Sequence, residues 1–254
     1  MKPNANDHPV NCWTQMPSLV AAVQALGEAI GLPYIAAQAD LGDPQPMSDE
    51  QGRPYAETTF RWINPEHRYW LDRSLALHVP FLTAARILAE PIYYTGGRLR
   101  TWRDTRLLSP IDCRSAEADP HLGEAIITPV HLPRGLIGAM VWCSREPIGV
   151  ERVFAEHAEH MQALATRLFA THNEARGRPR NAVAPQPTLT RREVHSLRRA
   201  AAGKTDSEIG TILAVSVSTV RFHLRNAGAK LGATGRAQSI QLAAGLGYLG
   251  AGTS

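Results

Sequence analysis

Two Thr-x-x-Glu patterns near the C-terminus constrain the fold of this chain more than any other feature. Thr190 is followed by Glu193, and Thr205 is followed by Glu208. In such a capping box the hydroxyl accepts a hydrogen bond from the backbone N–H three residues on, while the carboxylate accepts one from the backbone N–H of the threonine. Each pattern therefore predicts the start of an α-helix.

Breaks in the same region predict where these helices end and where a third one begins. Gly203 can adopt the left-handed conformation that often follows a helix, and Ser216 offers a cap oxygen for a helix that begins at Val217. Residues 214–216 alone separate the second helix from the third. A short turn between two amphipathic helices predicts a helix-turn-helix. The apolar residues expected to join these two helices are Ile209, Ile212, Leu213, Val215, Val220 and Leu224.

The third helix has a basic side that is separate from its apolar side. Arg221 and Arg225 are four residues apart and share a face, so both guanidinium groups can reach guanine edges in a major groove. The apolar residues expected to face the core are Val217, Val220, Leu224 and Leu231.

Other polar residues of the third helix suit phosphate oxygens, which position a protein on DNA without specifying sequence. We assign this role to Ser218, Thr219, His223 and Lys230. The alternative is that the polar residues form only the solvated side of an amphipathic helix. The full set predicted to contact DNA is Ser216, Ser218, Thr219, Arg221, His223, Arg225, Asn226 and Lys230.

The charge of the chain is divided unevenly between its two ends. Residues 176–254 hold 12 Lys and Arg against 3 Asp and Glu, whereas residues 1–175 hold 15 against 20. The modest net charge of +4 therefore combines a strongly basic C-terminal module with an acidic body. This asymmetry indicates that double-stranded DNA binds to the C-terminal module.

Length and composition fit one larger domain and one small one. The chain has 254 residues, of which 44% are apolar. Residues 173–187 are rich in proline, arginine and polar residues and lack an apolar period, so we expect a linker there. The predicted domains are residues 1–172, with a dimerisation helix at about 149–172, and residues 188–254.

The cysteines and the N-terminal segment indicate a cytoplasmic protein. Cys12, Cys113 and Cys143 show neither a pairing pattern nor Cys-x-x-Cys spacing, which is typical of reduced thiols. Residues 1–17 are polar and do not resemble a signal peptide, and no apolar run approaches the roughly 18 residues of a membrane span. We expect no membrane partner.

The larger domain is predicted to be of the α+β class, because helical and strand patterns alternate along it. The predicted helices lie at residues 18–30, 65–77, 81–89 and 149–172, the predicted strands at residues 34–39, 124–131 and 135–143, and residues 98–102 are ambiguous. The last helix carries an apolar stripe that suits burial against the sheet or a second subunit. This stripe consists of Val150, Val153, Phe154, His157, Met161, Leu164, Leu168 and Phe169.

The C-terminal motifs resemble the DNA-binding domain of LuxR-type transcription regulators. The matching patterns are L-T-x-R-E, G-K-T-x-x-E-I, S-x-x-T-V-x-x-H, K-L and a final arginine. They fall on Leu189, Thr190, Arg192, Glu193, Gly203, Lys204, Thr205, Glu208, Ile209, Ser216, Thr219, Val220, His223, Lys230, Leu231 and Arg236.

This resemblance implies a four-helix domain that binds DNA as a homodimer, with a fourth helix at about residues 234–247 that pairs with its twin. It implies a dyad-symmetric operator and makes RNA polymerase a candidate partner. Gly210 departs from the usual alanine of the family, and we expect it to weaken its helix by about 1 kcal/mol without removing a contact group.

The N-terminal domain resembles the ligand-binding domain of LuxR-type quorum-sensing receptors, in which helices flank both sides of an antiparallel sheet. Residues 91–94, P-I-Y-Y, stand where these receptors have P-I-F-W, and residues 134–139 resemble their R-G-x-x-G-A segment. The resemblance implies an α-β-α sandwich and a small-molecule signal as ligand, with no further cofactor.

The ligand pattern of that family is altered in this chain. Acyl-homoserine lactone receptors have an aspartate before a proline to accept the ligand amide hydrogen, and Val79 stands there. A typical lactone is therefore expected to bind poorly, at a cost of about 1–3 kcal/mol, unless Glu66, Asp72 or His78 substitutes. Glu66 could instead pair with a cationic or hydroxylated ligand. By correspondence with the family, the expected pocket residues are Trp62, Glu66, Trp70, Val79, Tyr93, Tyr94 and Cys143.

Other interpretations remain for the same residues. Aromatic clusters often form core, and a filled pocket would make this a ligand-independent regulator. Glu66 could instead be an exposed helix residue, and this alternative applies more strongly to Asp72, which Arg68 and Arg73 are close enough to pair with. His157 and His160 could belong to a metal-dependent enzyme, but no H-E-x-x-H pattern, third ligand or nucleophile motif accompanies them. We therefore predict neither an enzyme nor a metal site.

Overall fold

The computed structural model describes residues 12–43, 45–64, 68, 79–177 and 188–250. The chain forms two compact units. The N-terminal unit comprises residues up to 132 together with residues 136–178, and residues 179–254 belong to the C-terminal unit. Within the described ranges, no helix is both long enough and apolar enough to cross a membrane.

An antiparallel sheet forms the centre of the N-terminal unit. In the described residues it has five strands in the order β1-β5-β4-β2-β3. The strands are β1 (Tyr34–Gln38), β2 (Ile92–Thr95), β3 (Arg98–Arg100), β4 (Glu124–Leu132) and β5 (Leu136–Ser144). The α+β class is confirmed.

The sequence pattern does not predict the hairpin of β2 and β3. It indicates no strand at residues 92–95 and is ambiguous at residues 98–102. Gly96 and Gly97 join the two strands with φ values of 55° and 72°. Two successive positive φ values suit the tight turn of a hairpin, so the Gly-Gly pair is the sequence signal for both strands.

Helices cover the sheet. They are α1 (Met16–Ala29), α2 (Tyr55–Thr58), α3 (Pro80–Ile87), α4 (Arg114–Glu117) and α5 (Val150–Ala175). The helix predicted at residues 65–77 falls outside the described residues, apart from Arg68. Helix α5 ends beyond residue 172, so it occupies the first residues of the segment predicted to be a linker.

Side-chain alternation along the strands divides the buried residues into two cores. The first core lies between the sheet and helices α1 and α5, and it includes Ile35, Ile126, Met140 and Trp142. The second core lies on the opposite face of the sheet. It includes Phe81, Ile92, Tyr94, Ala125, Ile127, Val141 and Cys143.

The apolar stripe of α5 is buried within its own unit. Met161, Leu164, Leu168 and Phe169 belong to the first core with residues of α1 and the sheet. Ala158 is buried, whereas His157 is half exposed, so including His157 in the stripe was wrong by one residue. The stripe is therefore covered within its own unit and does not remain free to pair with a second subunit.

A buried carboxylate fixes the start of α5. Gly149 precedes this helix with φ 75° and offers no side-chain cap. Instead, Glu124 of β4 accepts hydrogen bonds from the backbone N–H groups of Ile148 at 2.7 Å and Val150 at 3.0 Å, and from the Thr95 hydroxyl at 2.7 Å. Burial raises the pKa of Glu124, but these hydrogen bonds outweigh it and lower the pKa overall.

The C-terminal unit consists of four helices in the described residues: α6 (Arg191–Ala201), α7 (Asp206–Leu213), α8 (Val217–Leu231) and α9 (Arg236–Gly245). Both predicted capping boxes form, because each threonine hydroxyl accepts from the N–H three residues on and each glutamate accepts from the threonine N–H. Gly203 has φ 79°, as expected for the end of α6.

The core of the C-terminal unit confirms most of the predicted apolar set. Ile209 and Val220 are buried together with Ala200, and Leu213, Val215 and Leu224 pack against them. Ile212 is wrong, because its side chain is 45% exposed on α7. Ala227 of α8 is buried in a second cluster with Leu197 and Ala243, which ties α8 to α6 and α9.

Candidate functional site

The turn between α7 and α8 combines a left-handed residue with a close backbone approach at Gly210. Ala214 has φ 52°, and it is the one non-glycine residue with positive φ in the described part of the chain. The backbone N–H of Val215 then donates to the Gly210 carbonyl at 2.9 Å. A Cβ on Gly210 would lie 2.8 Å from the Val215 carbonyl oxygen. Gly210 therefore allows a close backbone approach, which the sequence analysis did not foresee.

A hydroxyl cluster marks the start of α8. The Ser216 Oγ accepts a hydrogen bond from the Thr219 backbone N–H at 3.1 Å, which confirms Ser216 as the cap. The same Oγ lies 2.7 Å from the Ser218 Oγ and 2.8 Å from the Thr219 Oγ1. These hydroxyls sit at the positive end of the helix dipole, where an anion is stabilised.

Beyond its first turn, α8 presents a basic and aromatic surface. Arg221 and Arg225 are exposed, as predicted, whereas Val220 and Ala227 on the other side are buried. Phe222 lies between the two arginines in sequence, and its side chain is 49% exposed. Phe222 was not among the residues predicted to contact DNA, although its place four residues after Ser218 and three before Arg225 puts it on their face of the helix.

His223 and Asn226 lie at the margin of this surface, since both are half buried. The His223 ring contacts the Phe222 ring edge-on, with centroids 5.7 Å apart. These two residues therefore lie beside the most exposed part of this surface.

Lys230 has a structural partner that the sequence analysis did not expect. Its ammonium donates to the Glu193 carboxylate at 2.9 Å and to the Thr188 carbonyl at 3.3 Å. Burial raises the pKa of Glu193, but hydrogen bonds from Lys230 and Thr190 lower it overall. Lys230 therefore makes contacts within its own unit that support the fold, and its role as a phosphate contact stays a prediction.

An acidic residue lies beside Arg221. Asp206, the first residue of α7, accepts a hydrogen bond from Arg221 Nε at 3.2 Å through Oδ2. Its other oxygen, Oδ1, accepts from Arg236 of α9. These residues line an open groove together with Lys204. Asp206 was not singled out from the sequence, because the contact joins residues on two helices.

The predicted ligand-binding residues do not all lie on one face of the sheet. Tyr94 is in the second core, and its ring meets that of Phe81 edge-on at 5.2 Å between centroids. Tyr93 points to the first core, where its ring lies 4.8 Å from that of Phe154. Placing both tyrosines in one pocket was wrong, because adjacent residues of a strand face opposite ways.

Three further predicted residues accompany Tyr94 in the second core. Trp62 and Val79 pack against it, and Cys143 is fully buried in it. Val79 precedes α3, and its own side chain offers no hydrogen-bond acceptor. Burial raises the pKa of the Cys143 thiol, which donates weakly to the Tyr34 carbonyl at 3.6 Å.

Burial also raises the pKa of Tyr94, with smaller contributions from Cys113 and Glu117, so its hydroxyl stays neutral. Glu66 and Trp70 lie outside the described residues, as do Asp72 and His78, so these predictions have no structural counterpart. In the part of the chain that the structure describes, no three His, Cys, Asp or Glu residues are grouped to hold a metal ion.

A helix, a short turn and a second helix with an exposed basic surface define the C-terminal unit as a helix-turn-helix DNA-binding domain. Residues 187–243 match the family of bacterial regulatory proteins called the luxR family. Residues 187–243 therefore carry the DNA-binding domain of this family, which confirms the resemblance of the C-terminal motifs.

Comparison with individual proteins extends beyond this domain. The chain is 28% identical over 200 residues to the transcriptional activator protein PhzR of Pseudomonas fluorescens, a match that covers 73% of each chain. It is 36% identical over 121 residues to the transcriptional activator protein VanR of Vibrio anguillarum, covering 48% of this chain and 50% of the relative. A solved structure of Escherichia coli SdiA is similar at 18% identity and a TM-score of 0.45, covering 93% of this chain and 94% of that chain.

Proposed function

We propose that this protein is a homodimeric, cytoplasmic transcriptional regulator that binds a dyad-symmetric operator and responds to a small molecule other than a typical acyl-homoserine lactone. In this proposal α8 enters the major groove of each half-site. Ligand binding stabilises the folded dimer by mass action and thereby sets how much of the operator is occupied. Bound at a promoter, the dimer controls access or recruitment of RNA polymerase.

The exposed surface of α8 is the observation that carries the DNA-binding part. Arg221 and Arg225 share this surface with the exposed Phe222, and the hydroxyl groups of Ser216 and Ser218 lie at its N-terminal end. An arginine can donate two hydrogen bonds to guanine, and hydroxyls suit the phosphates beside the groove. The surplus of Lys and Arg over Asp and Glu in this part of the chain supports the same assignment.

One exposed side of α9, with two alanines and a glutamine, supports the dimer. Ala237, Gln241 and Ala244 are exposed and recur at spacings of four and three, so they share one side of this helix. The family resemblance implies that the fourth helix pairs with its twin, and the alanines on this side leave room for a second helix beside Gln241. A twofold pair of α8 helices then reads two half-sites one helical turn of DNA apart.

The altered pocket residues support a non-standard ligand. Val79 packs against the second core with Trp62, Tyr94 and Cys143 and cannot accept a hydrogen bond through its side chain. A ligand whose amide needs a carboxylate there would leave a buried donor without an acceptor. We therefore propose a ligand that contacts the Tyr94 hydroxyl and otherwise presents apolar surface.

The second candidate is a ligand-independent regulator of the same architecture. The observation that favours it is the direct contact of the Tyr94 and Phe81 rings inside the second core, where each ring fills space beside the other. In this alternative the side chains of the N-terminal unit complete its core.

DNA binding is tested by selecting bound duplexes from a random library with the full-length protein and then measuring affinities at two salt concentrations. Arg221→Ala and Arg225→Ala are each expected to cost about 1–3 kcal/mol and to relax base preference at one position per half-site. Arg106→Ala, which removes an exposed arginine of the N-terminal unit, is the control and should leave affinity and base preference unchanged. Unchanged binding in both α8 variants would remove α8 from the groove.

Ligand response is tested by the melting temperature of the full-length protein with acyl-homoserine lactones, aryl lactones and extracts of unrelated organisms. A rise that depends on the concentration of an aryl lactone or an extract supports the proposal. A comparable rise with a typical acyl-homoserine lactone would contradict it. No rise with any sample, from a protein that is already folded, favours the ligand-independent alternative.

A further inference from the structure

Asp206 connects three helices of the DNA-binding domain through one carboxylate. It is the first residue of α7, and its two oxygens accept hydrogen bonds from Arg221 of α8 and Arg236 of α9. The Asp206 side chain is 23% exposed, so it is partly withdrawn from solvent, whereas the Arg221 side chain is 72% exposed. An acidic group at the edge of a DNA-binding surface repels phosphate, so its presence needs a reason.

Arg236 fixes this carboxylate in place. One of its terminal nitrogens, Nη1, contacts Asp206 Oδ1, while the other, Nη2, donates to the Lys204 carbonyl at 2.6 Å. The positive charge of Arg236 also balances the negative charge of Asp206. The charge of Arg221 therefore remains available to DNA although Asp206 lies next to it.

The atom through which Asp206 binds Arg221 matters for DNA recognition. Within the described residues Asp206 is the hydrogen-bond partner of Arg221, and the donor is Nε, at 3.2 Å from Oδ2. This leaves the edge formed by the terminal nitrogens Nη1 and Nη2, which can donate two parallel hydrogen bonds to guanine O6 and N7. A guanidinium held at Nε has its plane set before DNA arrives, so less side-chain freedom is lost on binding.

We propose that Asp206 is a positioning residue that orients the Arg221 guanidinium for guanine in each half-site. The inference rests on the proposed entry of α8 into the major groove, and it deepens that proposal by naming what makes one base contact selective. Arg225 lacks such a carboxylate partner among the described residues, so base selectivity at its position does not depend on Asp206.

Phosphate repulsion and the positioning of Arg221 predict different effects of Asp206→Ala. If Asp206 only repels phosphate, its removal should tighten binding to all duplexes alike. The dependence of the binding constant on salt should then change little. A positioning residue would, when removed, reduce the preference for guanine at the Arg221 position. Asp206→Asn separates charge from geometry further, because the amide oxygen still accepts from Nε.

The experiment compares base preference, from random-library selection and then competition binding, for full-length wild type, Arg221→Ala, Arg225→Ala, Asp206→Ala and Asp206→Asn. Melting temperatures confirm that each variant is folded, and Asp206→Asn serves if Asp206→Ala is not. We expect Arg221→Ala to identify one position per half-site, and Asp206→Ala to lower guanine preference at that position by roughly fivefold or more, the lower limit for one bidentate contact. Asp206→Asn should retain more of this preference than Asp206→Ala.

Two further comparisons complete the test. The base preference at the position identified by Arg225→Ala should be unchanged in both Asp206 variants. The double variant Asp206→Ala/Arg221→Ala should lose no more guanine preference than Arg221→Ala alone. If the folded Asp206 variants keep the wild-type guanine preference while Arg221→Ala loses it, the role of Asp206 is overturned but the placement of α8 is not. If Arg221→Ala also keeps every preference, the placement of α8 in the groove fails as well.

Discussion

The Lys230 ammonium donates a 2.9 Å hydrogen bond to the Glu193 carboxylate, and this contact joins the last turn of α8 to the first turn of α6. The Glu193 side chain is only 4% exposed and also accepts from the Thr190 backbone N–H. A capping carboxylate that is buried needs a second partner, because one backbone N–H does not neutralise its charge. The orientation of α8 therefore depends in part on Lys230.

Lys230→Met is expected to lower the free energy of unfolding of the C-terminal domain by about 1–3 kcal/mol, because Glu193 keeps a buried charge without its cation. Urea unfolding followed by circular dichroism measures the effect. Lys204→Met is the matched control, since the Lys204–Glu208 pair is exposed and its loss should leave stability unchanged. A Lys230 variant with wild-type stability and weakened DNA binding would contradict this structural role and support the predicted phosphate contact.

Glu124 predicts a pH dependence for the N-terminal unit. Its pKa in the folded protein is held below the ordinary value of 4.5, so its stabilising effect is complete above that pH and is lost as the pH falls through the folded pKa. Glu124→Gln is expected to cost about 1–3 kcal/mol at neutral pH, because the start of α5 loses its charged acceptor.

Unfolding measured at several pH values between neutrality and about pH 3 checks this prediction. The wild type should lose stability steeply below the ordinary pKa, and Glu124→Gln should lose it less steeply over the same range. Glu151→Gln is the control, because Glu151 is an exposed residue of the same helix end. Parallel curves for wild type and Glu124→Gln would contradict the assignment.

Local sequence signals predicted the C-terminal domain well because its helices are defined locally. Thr190 and Thr205 form capping boxes within three residues of chain, and Ser216 caps α8 in the same way. Contacts that join distant residues were missed. Nothing near Asp206 or Lys230 indicates its partner on another helix, and Glu124 lies far in sequence from the helix that it caps.

The errors in the N-terminal unit have a related cause. A correspondence with family motifs placed Tyr93 and Tyr94 together, although the strand itself requires them to separate. The α5 stripe was ambiguous because a helical period shows which side is buried but not what covers it. Here α1 and the sheet cover it, with Ala158 rather than His157 in the buried row.

Replacing Gly210 by alanine is not expected to stabilise the protein, although alanine favours helices. Gly210→Ala should gain about 1 kcal/mol from helix propensity. However, the new Cβ would lie 2.8 Å from the Val215 carbonyl oxygen in the turn. Overpacking of this kind costs about 1–3 kcal/mol, so we expect no net gain or a net loss of stability.

The thermal unfolding of the full-length protein checks the Gly210 prediction. Ala229→Gly, at an exposed position within α8, is the control for simple helix propensity. If Gly210→Ala raises the melting temperature, the turn can shift without cost and the close approach has no energetic importance.

The exposed ring of Phe222 indicates a base contact that the arginines cannot provide. An exposed aromatic ring on the face of α8 that bears Arg225 suits the methyl group of thymine in the major groove. Phe222→Ala should leave the melting temperature nearly unchanged, because about half of the side chain already faces solvent. It should weaken operator binding by about 1 kcal/mol and relax a thymine preference.

The methyl group can also be removed from the DNA, which isolates the contact. Replacing the preferred thymine by deoxyuridine should weaken wild-type binding as much as Phe222→Ala does, while the Phe222→Ala protein should bind both duplexes equally well. Ile212→Ala, a similarly exposed apolar residue on α7, is the protein control and should retain the thymine preference. If the wild type does not distinguish deoxyuridine from thymine at any selected position, Phe222 makes no methyl contact and its exposure has another cause.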